Sequence, residues 1–403
     1  MDTVFSTVAS STYTFWVYNK SGDGIRLSAV RLRNGNQTGF RVNVDGSYLD
    51  NQTGTVVTDL EVRNGDSIRV FVELIAAETH RTEPRLVEDD LIFSLESGVE
   101  QKVNLRSYAW DALRLKDVIV SKDTVIESVK PIVIYGDGIK VDSGAVLTVR
   151  NTTLYFHDGA GVSVRGTLQT ENVVMRGDRL DRMFDYLPYD RVSGQWRGII
   201  FEEPSVDNVL TDTEIKNAMT AIRMDSAAID STVRRLTMTR CVVHNAKGDG
   251  VVVVNSNVGL YYCQLTNTYG DCLAVYGGKV DIDHCTLAQF YPFAADRGFA
   301  LAFSDDSDLR LECKNTIVTG YADDEVMLYR SGDSLRVIDY LFSDCLLRTP
   351  AVEDDTVSFK RVQWETPKDS IQGKQHFIKI DETNLDYDFH LDSLSTAIGK
   401  GCY

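Results

Sequence analysis

Acidic residues recur at a regular interval in the second half of the chain: Asp249 in GDG, Asp271 in GDC, Asp296 in ADRG, and Asp323 with Asp324 in ADDE. Each precedes a short apolar run, VVVV at Val251, LAVY at Leu273, FALA at Phe299 and VMLY at Val326. Carboxylates placed in this way suit three kinds of chemistry. They can hold calcium beside a basic residue that abstracts a proton, they can flank a glycosidic bond as acid and base, or they can accept hydrogen bonds from a ligand's hydroxyls. Carboxylates in file repel one another unless a cation or a base neutralises them; otherwise they splay into solvent as turn residues, a role aspartate favours. Calcium is therefore a cofactor the spacing permits without requiring, and no other cofactor is indicated.

A second set runs beside the first. Lys247, Tyr269, Tyr291 and Tyr321 recur at a matching interval, and three tyrosines in file offer faces on which sugar rings stack while neighbouring carboxylates bond the hydroxyls. The alternative is an aromatic stack that seals a turn. The candidate ligand-binding set is thus Tyr269, Tyr291, Tyr321, Asp249, Asp271, Asp296 and Asp324, with no catalytic residue assigned. For a lyase, Lys247, Arg297 and Arg330 are available bases. YGDCLAV resembles the acidic strand of polygalacturonases, but the tandem Asp pair and the GHG motif of those enzymes are absent. A serine nucleophile elbow, P-loop, HExxH and EF-hand loop are also missing.

The elements that position these residues are read from cysteine. LTMTRCVVHNAKGDGVVVVNSN, VGLYYCQLTNTYGDCLAVYGGK and VDIDHCTLAQFYPFAADRGFALAFSDD are one unit written three times, with Cys241, Cys263 and Cys285 at 22-residue steps. After inserted loops the slot continues as Asn315 and Cys345, and an aliphatic residue follows two positions later at Val243, Leu265, Leu287, Ile317 and Leu347. Weaker copies upstream, VLTVRNTTL and LQTENVVM, put Asn151 and Asn172 near the same slot. This period with short strands is that of a parallel β-solenoid, expected from roughly Lys130 to Lys400, in which equivalent residues stack about 4.8 Å apart. Same-direction thiols one coil apart are poorly placed for a disulfide and cannot form a tetrahedron around a metal, so buried thiols and no metal site are expected.

Ahead of the solenoid the grammar differs. From Ser11 to about Leu105, TYTFWVYN, RLSAVRL, FRVNVDG, SIRVFVEL and DLIFSLESG alternate as strands between the turns SGDG, NGNQTG and RNGDS. The expected fold class is all-β: an immunoglobulin-like β-sandwich over 1–110 and a right-handed parallel β-helix over 111–403. The long insertion Asp178–Gln195 either covers a groove or packs Phe184 and Trp196 against the solenoid side.

Composition narrows the partners. The 403 residues are 43% hydrophobic and carry a formal charge of −17, so nucleic acid and anionic membrane surfaces would be repelled. No run of 18 apolar residues suggests a transmembrane segment, and MDTVFSTVAS lacks the basic and apolar regions of a leader. Seven cysteines leave at least one unpaired.

Taken in order, DTVFSTVASSTYTFWVYN, FRVNVDG, GDSIRVFVEL, KPIVIYGDGIKVDSGAVLTV, GDRLD with GQWRGIIF, and DFHLDSLSTAIGKG resemble the right-handed parallel β-helix surface lipoproteins of Bacteroides-type bacteria. The resemblance covers nearly the whole chain. It implies export, attachment at the cell envelope through a lipid anchor on a cysteine that this sequence does not contain before Asp2, and a β-helix behind an immunoglobulin-like module. It brings no catalytic residues with it. The expected function is that of an exported cell-surface protein, acting as a monomer, that binds a polysaccharide or a surface protein along its solenoid. The alternative is a polysaccharide lyase or glycoside hydrolase acting on an acidic polysaccharide.

Overall fold

The computed structural model describes residues 3–49, 54–184, 186–228, 233–332, 335–365 and 373–401. The chain divides into two compact units, Met1–Leu113 with Arg179–Asp190, and Arg114–Asp178 with Arg191–Tyr403.

In the first unit one sheet runs Thr3–Phe5, Glu100–Trp110, Arg85–Leu95, Ile25–Leu32, Val56–Val62 and a second runs Tyr13–Tyr18, Ser67–Leu74, Phe40–Val44, Ser47–Tyr48. The period-2 pattern of SIRVFVEL explains the second sheet: Ile68, Val70, Val72 and Leu74 are buried, and Arg69, Phe71 and Glu73 lie on the opposite face. The inward residues join Leu27, Val30, Leu91 and Phe93 of the first sheet in one core, which makes the unit a β-sandwich. Each fully buried Val or Leu there contributes roughly 1.5–3 kcal/mol. Segment Arg179–Asp190 belongs to this unit. Asp181 accepts the Ser11 N–H at 2.8 Å and pairs with Arg179, whose guanidinium covers Tyr189 at 4.2 Å. Phe184 lies in this first unit and is 54% exposed, whereas Trp196 of the second unit is buried and stacks on Phe156 with ring centroids 4.2 Å apart.

The second unit is built on a 22-stranded sheet from Leu113–Val120 to Gln363–Trp364. It begins ahead of Lys130, where the repeat becomes visible in the sequence, and within the expected 111–403, since Thr124–Glu127 already pairs in parallel with Leu147–Arg150. It also ends earlier: Phe377–Asp381 and Asp386–Leu391 form an antiparallel hairpin, not another coil. Phe377 and Phe389 of that hairpin share a small core with Phe290, Ile317 and Leu346. The interior is aliphatic and continuous along the stack.

The register of the coils is explicit. Val242 lies opposite Gln264 and Gln264 opposite Thr286, which places Cys241, Cys263 and Cys285 in file as expected. The next member is Thr316 and not Asn315, because Leu287 pairs with Val318, not Ile317; the Thr316 hydroxyl accepts the Cys285 N–H at 3.2 Å. Asn315 belongs to a different column one residue earlier, with Asn151, Asn172, Asp212, Arg240, Tyr262, His284, Asp344 and Arg361, all at φ between 45° and 57°. A left-handed residue turns the chain within one position, and Asn and Asp tolerate that conformation better than other side chains. Asparagine there reads like a member of the neighbouring slot, which is the physical reason for the one-residue slip. A second left-handed column, Asn217, Asn245 and Asn267, is buried at the next bend. The six described cysteines are all free and buried. Burial pushes the Cys272 thiol up to about 12 and raises Cys313 as well.

Candidate functional site

One sheet of the solenoid crosses the strands Ile199–Phe201, Ile222–Met224, Val251–Tyr261, Leu273–Asp283, Leu301–Lys314 and Val326–Tyr329. Val251, Val253, Leu273, Val275, Leu301 and Phe303 point into the core. Alternation therefore sends the residues between them outward. The register gives two outward rows: Ser163, Ile200, Arg223, Val252, Ala274, Ala302, Met327, and then Val254, Tyr276, Ser304, Tyr329.

Asp249 and Asp271 form the start of a third outward row. Their neighbours fix the register: Gly250 N–H donates to Asp271 O at 2.8 Å, and Cys272 N–H to Phe299 O at 2.9 Å. The third place is thus occupied by Phe299, and the fourth by Asp324, since Leu301 pairs with Val326. Asp296 is not in the row. It lies three residues upstream in the inserted loop, where its carboxylate accepts from Tyr269 Oη at 3.4 Å. The expected file of four carboxylates is in fact one adjacent pair plus Asp324 beyond an aromatic interruption. Asp324 is tied locally, accepting from Thr349 Oγ1 at 2.7 Å and from Val326 N–H at 3.2 Å.

The pair is electrostatically poised. Burial, opposed by the hydrogen bond from the Phe299 N–H and aided by the Asp249 carboxylate one coil away, pushes the Asp271 carboxyl up to about 6. Burial raises Asp249 too, opposed by the hydrogen bond from the Asp271 N–H and by the charge of Arg223. Tyr276 and Tyr329 across the floor are raised by burial, then by Asp271 among the neighbouring charges. Between acids and tyrosines the floor is narrow and apolar. Ala274 has no exposed surface, while Tyr329 is 50% exposed at the rim.

The same face deepens upstream. A depression of about 510 Å³ is lined by Ser163, Arg165, Arg197, Ile200, Glu202 and Asp225, among others. Its volume lies within the range of small-molecule sites. Ser163 Oγ donates to Glu202 at 2.5 Å, Arg165 lies 3.5 Å from the same carboxylate, and Arg223 pairs with Asp225 at 2.9 Å. Arg223 thus stands between the depression and the Asp249–Asp271 pair.

The tyrosine file is only partly present. Tyr269 and Tyr291 are in register and meet edge to face at 6.1 Å, but Tyr291 is buried, with its hydroxyl 3.1 Å from Ser193 Oγ. Tyr321 falls opposite Phe290, one position off, at 5.1 Å, and is enclosed by Arg297 at 4.3 Å and Lys374 at 5.0 Å from its ring. Tyr291 and Tyr321 are thus enclosed at the turn, whereas Tyr269 is 41% exposed and hydrogen-bonded to Asp296, so the three rings do not form one open file. Tyr276, Tyr329, Arg223, Arg165 and Arg197 went unsingled in the sequence, although LAVY and VMLY each end in the tyrosine concerned.

A further polar cluster is interior. Glu325 is buried, accepts from Ala322 N–H at 2.7 Å and Ala300 N–H at 3.1 Å, and is pushed by burial up to about 8. Arg348, Glu365, His376 and Ser395 continue it: Glu365 Oε1 lies 3.6 Å from Arg348 Nη1 and 3.4 Å from His376 Nε2, and His376 Nδ1 is 3.0 Å from Ser395 Oγ. Serine, histidine and glutamate in series could activate a nucleophile, but all three are buried, so the cluster clamps the interior. Among the described residues no group of three or more His, Cys, Asp or Glu is arranged to hold a metal ion. Among them, too, no helix is long and apolar enough to cross a membrane.

Comparison with known proteins defines the class. Residues 117–287 match the family model "Right handed beta helix region", and with the parallel register above the second unit is a right-handed parallel β-helix. An α-1,3-glucanase catalytic domain of glycoside hydrolase family 87, solved with tetrasaccharides, is 10% identical over 89% of this chain and 85% of its own, with a TM-score of 0.38. The corresponding catalytic unit from Streptomyces thermodiastaticus is 11% identical over 89% and 90%, with a TM-score of 0.30. The A-module of a mannuronan C-5 epimerase from Azotobacter vinelandii is 12% identical over 64% and 91%, with a TM-score of 0.26. None of these likenesses carries an activity over to this chain. No curated protein matches it.

Proposed function

We propose that this is an exported cell-envelope protein that binds a polysaccharide along the outward face of its β-helix. The observation that carries the reading is the register of that face: the outward row that lines the 510 Å³ depression at Ser163 and Ile200 continues through Arg223 to the coils that carry Asp249, Asp271, Tyr276 and Tyr329. A row of hydrogen-bonding groups beside an exposed ring suits a sugar chain, whose rings stack and whose hydroxyls bond. Envelope attachment, the immunoglobulin-like reading of the sandwich and the surface-lipoprotein family rest on the sequence resemblance. The test is a panel of acidic and neutral polysaccharides in an equilibrium binding assay. Saturable binding by the native chain, with a component weakened about tenfold or more in Tyr329→Ala, supports the reading; binding to none of them contradicts it.

A second reading is favoured by one observation. Asp271, at about 6 beside a second carboxyl, has the proton affinity of a general acid working near neutral pH. A polysaccharide lyase or glycoside hydrolase would release unsaturated or reducing ends from the same panel, and Asp271→Asn would abolish that release. Binding without release leaves the passive groove.

A further inference from the structure

The outward face of the four-stranded sheet in the sandwich is chemically unlike the rest of this acidic chain. The ladder fixes its layout. Trp16 lies opposite Arg69, Thr14 opposite Phe71, Phe71 opposite Asn43, Asn43 opposite Tyr48, and Glu73 opposite Arg41. Inward residues on the same strands, Val42, Val44, Val70 and Val72, are buried, so the named set shares the outer side. Trp16 is 49% and Tyr48 61% exposed. A depression of about 340 Å³ on this face is lined by Thr12, Arg41, Asn43, Gly46, Tyr48, Phe71 and Glu73, large enough for one or two sugar rings.

Two cations dominate it. The Arg69 guanidinium lies 4.5 Å from the centre of the Phe71 ring and 5.3 Å from that of Trp16, so two aromatic faces fix its orientation before any ligand arrives. Arg41 lines the depression itself, and Arg69 stands outside its lining on the neighbouring strand, beside Phe71, which does line it. Among the described residues neither guanidinium makes an ion pair or a side-chain hydrogen bond, although Glu73 faces Arg41 across the ladder; the surface arginines 26, 31 and 33 all have carboxylate partners. A pre-oriented, unpaired guanidinium presents a fork that matches a carboxylate in two hydrogen bonds. The face of Tyr48 beside it offers a stacking platform, and Asn43 and Thr12 offer hydroxyl partners.

We propose that this face of the sandwich is a binding site for an acidic oligosaccharide, with Arg41 and Arg69 holding uronate carboxylates and Tyr48 stacking on a sugar ring. The site is separate from the solenoid groove and does not rest on it. It gives the protein two places to hold an anionic glycan, and two linked sites raise avidity without new contacts at either.

The experiment titrates the full chain carrying Tyr276→Ala and Tyr329→Ala, which removes the rings of the solenoid groove, with a short oligogalacturonate, by calorimetry at low salt. Saturable binding is expected, weakened about tenfold by Arg69→Gln, by Arg41→Gln or by Tyr48→Ala. It is also expected to weaken with added salt, and to be absent for a neutral glucose oligomer of the same length. All three residues are exposed, so the variants keep the native melting temperature. Failure of the galacturonate to bind, equal binding of the neutral oligomer, or retention of affinity in Arg41→Gln and Arg69→Gln together overturns the proposal. Loss of binding in Tyr276→Ala with Tyr329→Ala alone would assign the ligand to the solenoid and likewise overturn it.

Discussion

Asp249 Oδ1 accepts the backbone N–H of Asp271 at 2.9 Å, and Asp271 Oδ1 in turn accepts the N–H of Phe299 at 2.7 Å. Each carboxylate therefore spends one oxygen holding the coil that follows. These bonds hold two acids one coil apart despite their repulsion.

The consequence for stability has a definite sign. Asp271 is raised from 3.8 to about 6 in the folded protein, so the fold binds this proton more tightly than the unfolded chain does. That contribution is fully present below pH 4 and is lost as pH rises through 6. Asp271→Asn keeps the acceptor for Phe299 and removes the buried charge. Denaturant titration is expected to show the variant more stable by about 1 kcal/mol at pH 7.5, after discounting for solvent screening, with no gain at pH 4.

Arg235 is a buried cation whose partners are all neutral. Its guanidinium donates to the carbonyls of Ser205, Asp225, Glu202 and Glu203 at 2.5–3.2 Å and to Ser256 Oγ at 2.6 Å. Removing it strands several carbonyls in the interior, each costing about 1–3 kcal/mol. Arg235→Met is expected to lower stability by about 3 kcal/mol or more in the same denaturation assay.

The column of left-handed residues makes a local test of the solenoid bend. Asn172 has φ 54° and its side chain donates to Asn151 at 3.1 Å. Asn172→Val forces a β-branched residue into that conformation and is expected to cost about 1–2 kcal/mol, whereas Asn172→Gly stays within about 0.5 kcal/mol. Differential scanning calorimetry of the two variants distinguishes them.

The thiols give a test that needs no ligand. Cys241, Cys263, Cys272, Cys285, Cys313 and Cys345 are buried and free. In a Cys402→Ser protein, a thiol-specific chromogenic reagent is expected to find no reactive group under native conditions and six after unfolding. Rapid native reaction of any of them would contradict the stacked interior.

How far the sequence reached follows from the same columns. The 22-residue recurrence of cysteine was legible because three successive coils have equal length, and the register bears it out. Inserted loops broke the count afterwards. Asp296 fell off its assigned column because a loop can add residues without changing the strands it joins, and Asn315, with Tyr321 counted from it, because asparagine at the left-handed position reads like the neighbouring slot. The open face was harder to read for a different reason. VVVV and LAVY are buried or nearly so on both sides, with Val252 at 3% and Ala274 at 0% exposure, so no polar alternation marks which residues face outward. The sandwich strands, one side wet, alternate plainly.

The most direct measurement is the affinity of the chain for an acidic polysaccharide, native against Arg223→Ala and Tyr329→Ala, in a background carrying Arg41→Gln and Arg69→Gln so that only the β-helix can bind. Saturable binding is expected, weakened about tenfold by each β-helix substitution. Undetectable binding in that background, or an affinity indifferent to both substitutions, would contradict that expectation.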